Sequence, residues 1–189
     1  MINLIYETFN PEVHDVSHVA KLVYDVDYRT FDMFFKSDSN AISAISRYLQ
    51  KKKSNNHFKV ILDDNRNIIG YVSIYLHDHP HEFYLKSLKL FLVDILDYFV
   101  LCDIGENDLY IAEIAIDESQ RGNGLGRKVI NDVLGYAKSK KFDRVILDAD
   151  FRNEGAKKLY ESIVFKEFNK KRVKIGSFER GMYNMEFNL

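Results

Sequence analysis

The sequence contains few of the residue types that cross-link or stiffen a chain. Its 189 residues include one cysteine, two prolines and no tryptophan, and the formal net charge is −1. The single cysteine, Cys102, excludes an internal disulfide and is typical of a reducing compartment, so we expect a cytoplasmic protein with Cys102 in its core. The near-zero net charge lacks the basic excess of general nucleic-acid binders, so we expect no nucleic-acid partner.

Long hydrophobic runs are also missing. The most apolar window, residues 88–101, is interrupted by Lys89, Asp94 and Asp97, so we expect no membrane span. The first residues, MINLIYETF, lack the charged and apolar segments of a signal peptide. The composition is otherwise that of an ordinary globular protein, with 46% hydrophobic and 29% charged residues. The length predicts a single domain over residues 1–189.

The most informative stretch runs from Tyr110 to Gly126, YIAEIAIDESQRGNGLG. A β-branched run predicts a strand, three glycines then stand at every second position, and apolar residues from Val129 onward recur at helical spacing. In a strand–turn–helix unit, the unpaired N–H groups and the positive dipole end of the helix point into the turn. Such a turn can hold a phosphate or pyrophosphate, and glycines let the backbone approach it.

Three interpretations compete for this turn. The Walker pattern GxxxxGK[ST] does not occur, and the spacing GxGxG differs from the dinucleotide-binding GxGxxG. The pattern [RQ]xxGx[GA] is met by Arg121, Gly124 and Gly126. It is the pyrophosphate loop of the GNAT superfamily of acyl-CoA-dependent N-acetyltransferases, which the chain resembles here. A tight strand-to-helix turn without a ligand is the simpler alternative for the glycine spacing alone.

A second segment, residues 145–165, strengthens the resemblance. It reads VILDADFRNEGAKKLYESIVF and is similar to the family's second motif, NxxAxxLYExxGF, in the expected order and separation. The matching residues are Asn153, Ala156, Leu159 and Tyr160. Val164 replaces the family's glycine, which puts the next turn in doubt, and Glu118 replaces the usual proline after Asp117. Neither departure removes a chemical group, and Asp-Glu can also form a turn.

The resemblance covers nearly the full chain and implies the GNAT fold, an α+β fold whose central mixed, mostly antiparallel sheet is flanked by helices. Apolar periodicity predicts an extra helix at residues 83–102, inserted between strands three and four. This helix would serve as a lid, as the contact of a homodimer, or as additional core. We expect the last strands at residues 165–168 and 181–188, joined by a basic connection over residues 169–177.

Two expectations concern the N-terminal half. Apolar residues spaced at three and four predict a helix over residues 11–24, with Val13 on its apolar face. Residues 58–62 and 68–76 predict a strand hairpin, in which Gly70 marks a bulge.

The resemblance implies acetyl-CoA as the co-substrate. Backbone N–H groups of the Gly-rich turn would hold its pyrophosphate, and strand four would pair with its pantetheine arm. The residues expected to bind acetyl-CoA are Ile114, Ile116, Arg121, Gly122, Asn123, Gly124, Leu125, Gly126, Arg127 and Asn153. The N–H group of one of the two isoleucines would also stabilise the oxyanion.

Acetyl transfer from a thioester to an amine needs a neutral amine and a proton for the departing thiolate. By resemblance, Tyr160 would protonate the coenzyme A thiolate; the alternative is a core tyrosine of an amphipathic helix. Glu113, mid-strand among isoleucines, is the first candidate for the base, and partial desolvation would raise its pKa. A surface carboxylate is the alternative for Glu113, and Asp25, Asp27 and the histidines of residues 77–82 are the other candidate bases.

The histidines of residues 77–82, HDHPHE, also invite a metal interpretation. Their spacing matches none of the common zinc patterns, so we predict no metal site and a polar loop instead.

The expected function is transfer of an acetyl group from acetyl-CoA to a primary amine by direct attack in a ternary complex. The acceptor would be a small amine, an amino acid, an antibiotic or a peptide N-terminus, and acidic groups nearby would favour a cationic one. A non-catalytic acyl-CoA-binding regulatory or scaffold module is the alternative. Tyr160 and Glu113 speak against that alternative, because a non-catalytic domain need not keep them.

Overall fold

The computed structural model of the chain describes residues 3–51, 57–77, 95, 98–175 and 178–189. Its strands are hydrogen-bonded in the order β1-β2-β3-β4-β5-β7-β6. The elements in chain order are β1 (Ile5–Thr8), α1 (Val16–Val26), α2 (Tyr28–Phe34), α3 (Asp38–Leu49), β2 (Phe58–Leu62), β3 (Ile68–Leu76), β4 (Asp108–Ile116), a 3-10 turn (Glu118–Gln120), α4 (Leu125–Ser139), β5 (Arg144–Asp150), α5 (Glu154–Ser162), β6 (Lys166–Ile175) and β7 (Phe178–Asn188). The expected α+β class with a mixed sheet is confirmed.

Two compact units make up the described chain, and the first contains residues 3–51, 57–74 and 113–126. Its core is a cluster of buried apolar side chains from α1, α3 and the strands, including Val19, Leu22, Ile45, Val60 and Tyr71. The apolar spacing in α1 and α3 explains why these helices turn one face to the strands.

The first helix starts later than the sequence predicts. The carboxylate of Asp15 caps α1 by accepting hydrogen bonds from the backbone N–H groups of Ser17 and His18. Residues 11–13 form a turn before this cap, and Val13 is 71% exposed. The expectation that Val13 lies on the apolar helix face is therefore wrong, because the cap fixes the helix start beyond it.

The predicted bulge in the hairpin is confirmed. Ile61 pairs with Gly70 and Leu62 pairs with Ile68, so Ile69 is the additional residue on β3. A Cβ at Gly70 would lie 2.3 Å from the carbonyl oxygen of Ala115. Glycine is required here because the two backbones approach too closely for any side chain.

The second unit contains the described residues 75–77, 95, 98–112, 127–175 and 178–189. In this unit β4 pairs with β5 in parallel, and β7 pairs antiparallel with both β5 and β6. Leu109, Ile146, Leu147 and Met185 are fully buried in this unit. None of the helices among the described residues is long and apolar enough to cross a membrane.

The last strands are longer than the sequence predicts. β6 runs from Lys166 to Ile175 and β7 begins at Phe178, so the expected basic connection over residues 169–177 is wrong: most of it is strand. β6 stands last in the strand order, and lysines are common on edge strands because they discourage pairing with other chains. Its basic composition marks an exposed strand rather than a loop.

The predicted inserted helix lies mostly outside the described residues. At its C-terminal end, residues 99–101 form a turn and a bend rather than a helix, and Val100 and Cys102 are buried. Core packing of Cys102 is confirmed.

Replacing Gly70 with alanine tests the close approach of β3 and β4. We expect Gly70→Ala to lower the free energy of unfolding by about 1–3 kcal/mol, because the new methyl group overlaps a backbone oxygen that cannot move alone. Urea denaturation measures the change. The matched control is Gly135→Ala in α4, where an added Cβ meets nothing within 4 Å, and a gain of about 0.4–1 kcal/mol is expected. Equal effects of the two substitutions would contradict this interpretation.

Candidate active site

The Gly-rich turn between β4 and α4 has the backbone shape of a ligand-binding loop. Gly122 and Gly124 have φ values of 81° and 74°, a region that L side chains rarely adopt. A Cβ at either position would meet no heavy atom of the described residues within 4 Å. Glycine is therefore required by conformation and not by lack of space, and the turn leaves open room beside its backbone.

The side chains of this turn are held by backbone carbonyls. Arg121 Nε donates a hydrogen bond to the carbonyl oxygen of Ile116 at 3.1 Å, and Asn123 Nδ2 donates to that of Gln120 at 3.2 Å. Both side chains belong to exposed residues. The positive charge of Arg121 is thus fixed at the end of β4, beside the turn.

α4 begins at Leu125, directly after Gly124, and Gly126 is its second residue. Leu125 is buried and anchors the helix start, and the first turn carries no acidic side chain. Arg127 donates hydrogen bonds to the hydroxyl of Ser162 at 2.6 Å and to its carbonyl oxygen at 3.3 Å. The first N–H groups of any helix lack intrahelical partners and lie at the positive dipole end. Together with the turn, this helix start fits a pyrophosphate.

Ile114 and Ile116 lie in the part of β4 that does not pair with β5. The parallel pairing runs from Asp108–Arg144 to Ile111–Leu147, whereas β4 continues to Ile116. The backbone groups of both isoleucines therefore lie beyond this pairing. A strand segment beyond this pairing is what the expected binding of the pantetheine arm to strand four requires.

Glu113 is half-buried and has a fixed hydrogen-bond donor. The hydroxyl of Tyr71 donates to its carboxylate at 2.8 Å. Tyr71 is fully buried and stacks on Phe58 with ring centroids 4.9 Å apart. The expected partial burial of Glu113 is confirmed, and its role as a base stays a prediction.

The second motif forms α5 and the residues before it. Asn153 caps the helix, since its Oδ1 accepts a hydrogen bond from the N–H group of Ala156 at 3.0 Å. Tyr160 is half-buried and its ring lies 6.1 Å from that of Phe165. Burial, followed by the charge of Asp148, raises the pKa of Tyr160 to about 12. Its hydroxyl makes no hydrogen bond to any described residue, and the raised pKa keeps it protonated at neutral pH.

A buried polar cluster on β5 was missed by the sequence analysis. Asp148 accepts hydrogen bonds from the hydroxyl of Tyr110 at 2.8 Å, from the backbone N–H of Cys102 at 3.1 Å and from the side-chain amide of Asn184. Burial raises the pKa of Asp148, although these donors oppose the shift. The available signal was an aspartate inside the apolar run VILDAD, because a buried carboxylate must find donors.

Only some of the other candidate bases and candidate metal ligands lie among the residues that the structure describes. His77 is exposed and its Nδ1–H donates to the carbonyl oxygen of Ile104 at 2.9 Å, whereas residues 78–82 lie outside the described residues. Asp25 pairs with Lys21 of the same helix at 2.6 Å. The described residues contain no group of three side chains that could hold a metal ion.

Residues 22–164 match the model of the acetyltransferase (GNAT) family. No curated protein matches the sequence. Among similar solved structures is a spermidine N-acetyltransferase SpeG chimera from Vibrio cholerae and hSSAT, with a TM-score of 0.63, 17% identity, and coverage of 98% of this chain and 95% of that one. Another is NAA60 from Arabidopsis thaliana in complex with a bisubstrate analogue, with a TM-score of 0.57, 16% identity and coverage of 98% of both chains.

A third similar structure is the IAA acetyltransferase from Bacillus cereus, with a TM-score of 0.55, 15% identity, and coverage of 99% of this chain and 100% of that one. At such low identity the solved structures show a shared fold alone. The family model covers residues 22–164, which is most of the chain, and therefore shows family membership as well as the fold.

Replacing Asp148 with asparagine tests whether the pKa of this buried carboxyl group is raised in the folded protein. A carboxyl group whose pKa is higher in the folded protein stabilises it below the ordinary value of 3.8, and this contribution is lost as the pH rises through the folded pKa. The free energy of unfolding of wild type minus that of Asp148→Asn should therefore fall as the pH rises from about 4 to about 7. Urea denaturation at each pH measures it.

Tyr110→Phe sharpens this test, because it removes one donor from the Asp148 carboxylate and should enlarge the fall with pH. A difference that instead grows with pH would mean that the folded protein favours the carboxylate, contrary to the raised pKa.

Proposed function

This chain belongs to the acetyltransferase (GNAT) family and is an acyltransferase, and from that premise we propose that it transfers the acetyl group of acetyl-CoA to a primary amine by direct attack in a ternary complex. The observation that carries the proposal is the Gly-rich turn at the start of α4, with Gly122 and Gly124 at positive φ and open space beside both. Such a turn at a helix N-terminus fits a pyrophosphate.

Acetyl-CoA, when bound, supplies the activated acetyl group. The backbone N–H groups from Arg121 to Arg127 bind its pyrophosphate, and the guanidinium of Arg121 adds positive charge. The residues of this turn and of the first helical turn after it are Arg121, Gly122, Asn123, Gly124, Leu125, Gly126 and Arg127. The backbone of Ile114 and Ile116 binds the pantetheine arm, and Asn153 contributes its amide from the start of α5. One isoleucine N–H donates a hydrogen bond where negative charge develops on the acetyl oxygen.

Tyr160 is the proposed acid that protonates the coenzyme A thiolate. Support comes from its position in the second motif and from its hydroxyl, which makes no hydrogen bond to a described residue. Its raised pKa of about 12 keeps the hydroxyl protonated at neutral pH.

Glu113 is the proposed base that accepts a proton from the attacking amine, directly or through water. An alkyl ammonium has a pKa of about 10, so a proton acceptor is needed at neutral pH. The hydrogen bond from Tyr71 fixes the orientation of the Glu113 carboxylate.

The acceptor is proposed to be a primary amine on a small molecule, an amino acid or a peptide N-terminus. One similar structure is named as a spermidine N-acetyltransferase, so that protein acts on an amine. We propose a cytoplasmic location because the single cysteine is buried and free. A homodimer, which the sequence analysis allows for, stays a prediction.

Replacing Tyr160 with phenylalanine tests the proposed acid. Since general acid catalysis contributes about 10²–10⁴-fold, we expect kcat to fall at least ~100-fold. The Kd for acetyl-CoA should change less than about threefold, because the ring and its packing remain. Isothermal titration measures binding, and release of free thiol across an amine panel measures turnover.

The matched control is Tyr136→Phe, because Tyr136 is a 49% exposed tyrosine on α4 and should leave kcat unchanged. Similar losses in both variants would contradict the assignment of Tyr160. Binding without turnover on any amine by the wild type would favour the non-catalytic acyl-CoA-binding module.

The pH dependence of kcat offers a second test of the same tyrosine. Because the pKa of Tyr160 is raised to about 12, the hydroxyl stays protonated and the acid stays competent above the ordinary tyrosine pKa of about 10. At saturating substrates, kcat should show no loss attributable to Tyr160 between about pH 7 and about pH 10. A fall in this range that is present in the wild type and missing in Tyr160→Phe would contradict the raised pKa.

A further inference from the structure

Asp117 is the first residue after β4 and is held by three separate contacts within the first unit. Its backbone N–H donates to the carbonyl oxygen of Ile69 at 2.9 Å. Its Oδ1 accepts from the backbone N–H of Ser119 at 2.9 Å and from the Ser119 hydroxyl at 2.6 Å. Its Oδ2 lies 2.8 Å from Nε2 of His18. The carboxylate therefore joins α1 to the start of the Gly-rich turn.

His18 reaches this carboxylate because α1 is capped just before it. The backbone N–H of His18 donates to Asp15 Oδ1 at 3.1 Å, which fixes the first turn of the helix. The apolar residues Val19, Leu22 and Val23 bury the other face of α1. His18 is the side chain that α1 extends to Asp117, and the core contacts of the helix do not depend on it.

The segment after Asp117 is built on that residue. The backbone N–H of Gln120 donates to the carbonyl oxygen of Asp117 at 2.9 Å, and the backbone N–H of Arg121 donates to the carbonyl oxygen of Glu118 at 3.2 Å. The Ser119 contacts, followed by the contact with His18, lower the pKa of Asp117 to about 2, so the carboxylate is charged and accepts hydrogen bonds at neutral pH. Gly122 and Gly124 have no side chains, so the path of the turn depends on how this segment is anchored.

We propose that His18 is a positioning residue for the cofactor: its hydrogen bond to Asp117 holds the start of the turn, residues 117–121, in the conformation in which the following glycines bind pyrophosphate. This inference rests on the proposed function. The imidazole donates through Nε2–H to Asp117 Oδ2, and His18 itself makes or breaks no covalent bond in the reaction. Loss of the donor leaves the two other contacts of Asp117 in place, so the protein stays folded while the turn gains freedom.

His18→Ala and His18→Gln test this inference as a pair. Alanine removes the donor, whereas the glutamine amide can reach the position of Nε2 and donate in its place. In the free protein, we expect His18→Ala to speed hydrogen exchange of the hydrogen-bonded amides of residues 119–121 about tenfold, with little change elsewhere. We expect the Kd for coenzyme A to rise about tenfold, because binding must then order a turn that the wild type holds in place, and kcat to change much less.

His18→Gln should restore both the slow exchange and the affinity. His14→Ala is the matched control, because His14 also pairs with a carboxylate in the first unit, its Nε2 lying 3.3 Å from Glu7 Oε2. Its hydrogen bonds to the described residues do not include one to Asp117. His14→Ala should change the midpoint of unfolding, but it should change neither the exchange rate of the turn amides nor the Kd for coenzyme A. Faster exchange of the turn amides in both His18→Ala and His14→Ala would indicate a general loss of stability of the first unit and would overturn the inference.

The two levels of the proposal fail in different ways. A wild type that binds coenzyme A, together with a His18→Ala variant that binds equally well and exchanges at the same rate, overturns the positioning role alone. A wild type that does not bind coenzyme A overturns the proposed function, and the positioning role with it.

Discussion

The candidate site depends on how closely β3 and β4 approach one another in the first unit. Gly70 has no side chain, so its backbone can lie against the carbonyl of Ala115. The bulge beside it adds Ile69, whose carbonyl oxygen accepts a hydrogen bond from the N–H of Asp117. β4 thus ends at a fixed point, and the glycines that follow start from an anchored residue. If the end of β4 were mobile, the glycines that follow it would have no defined conformation, because glycine restricts the backbone least.

Most of the fold was predictable because its signals are local. The strand, the Gly-rich turn and the capped helix α5 each lie within a short stretch of sequence, so spacing and capping residues reveal them. The missed start of α1 also had a local signal, since Asp15 is a good cap. The end of β6 did not, because an exposed edge strand rich in lysine has the composition of a loop.

The polar contacts of the site were not predictable, because their partners are far apart in sequence. His18 and Asp117 are 99 residues apart, and Asp148 is 46 residues from Cys102. No pattern in one sequence couples such positions, and only folding brings them together. Tyr160 was predicted from its place in the second motif and Glu113 from its place on the strand among isoleucines, but their environments come from the structure. A buried donor faces the carboxylate, whereas the phenol has a raised pKa and no acceptor among the described residues. These opposite environments suit a base and an acid respectively.

Burial of Cys102 has a practical consequence for the study of this protein. The residue is 8% exposed, and burial next to Asp148 raises the pKa of its thiol far above the ordinary range. Because the thiolate is the reactive form, the native protein should contribute almost no signal of its own to reagents that detect free thiols. The chain has no other cysteine. Any labelling of the protein by such a reagent therefore reports opening of the second unit, which makes Cys102 a built-in sensor of unfolding that needs no engineered probe.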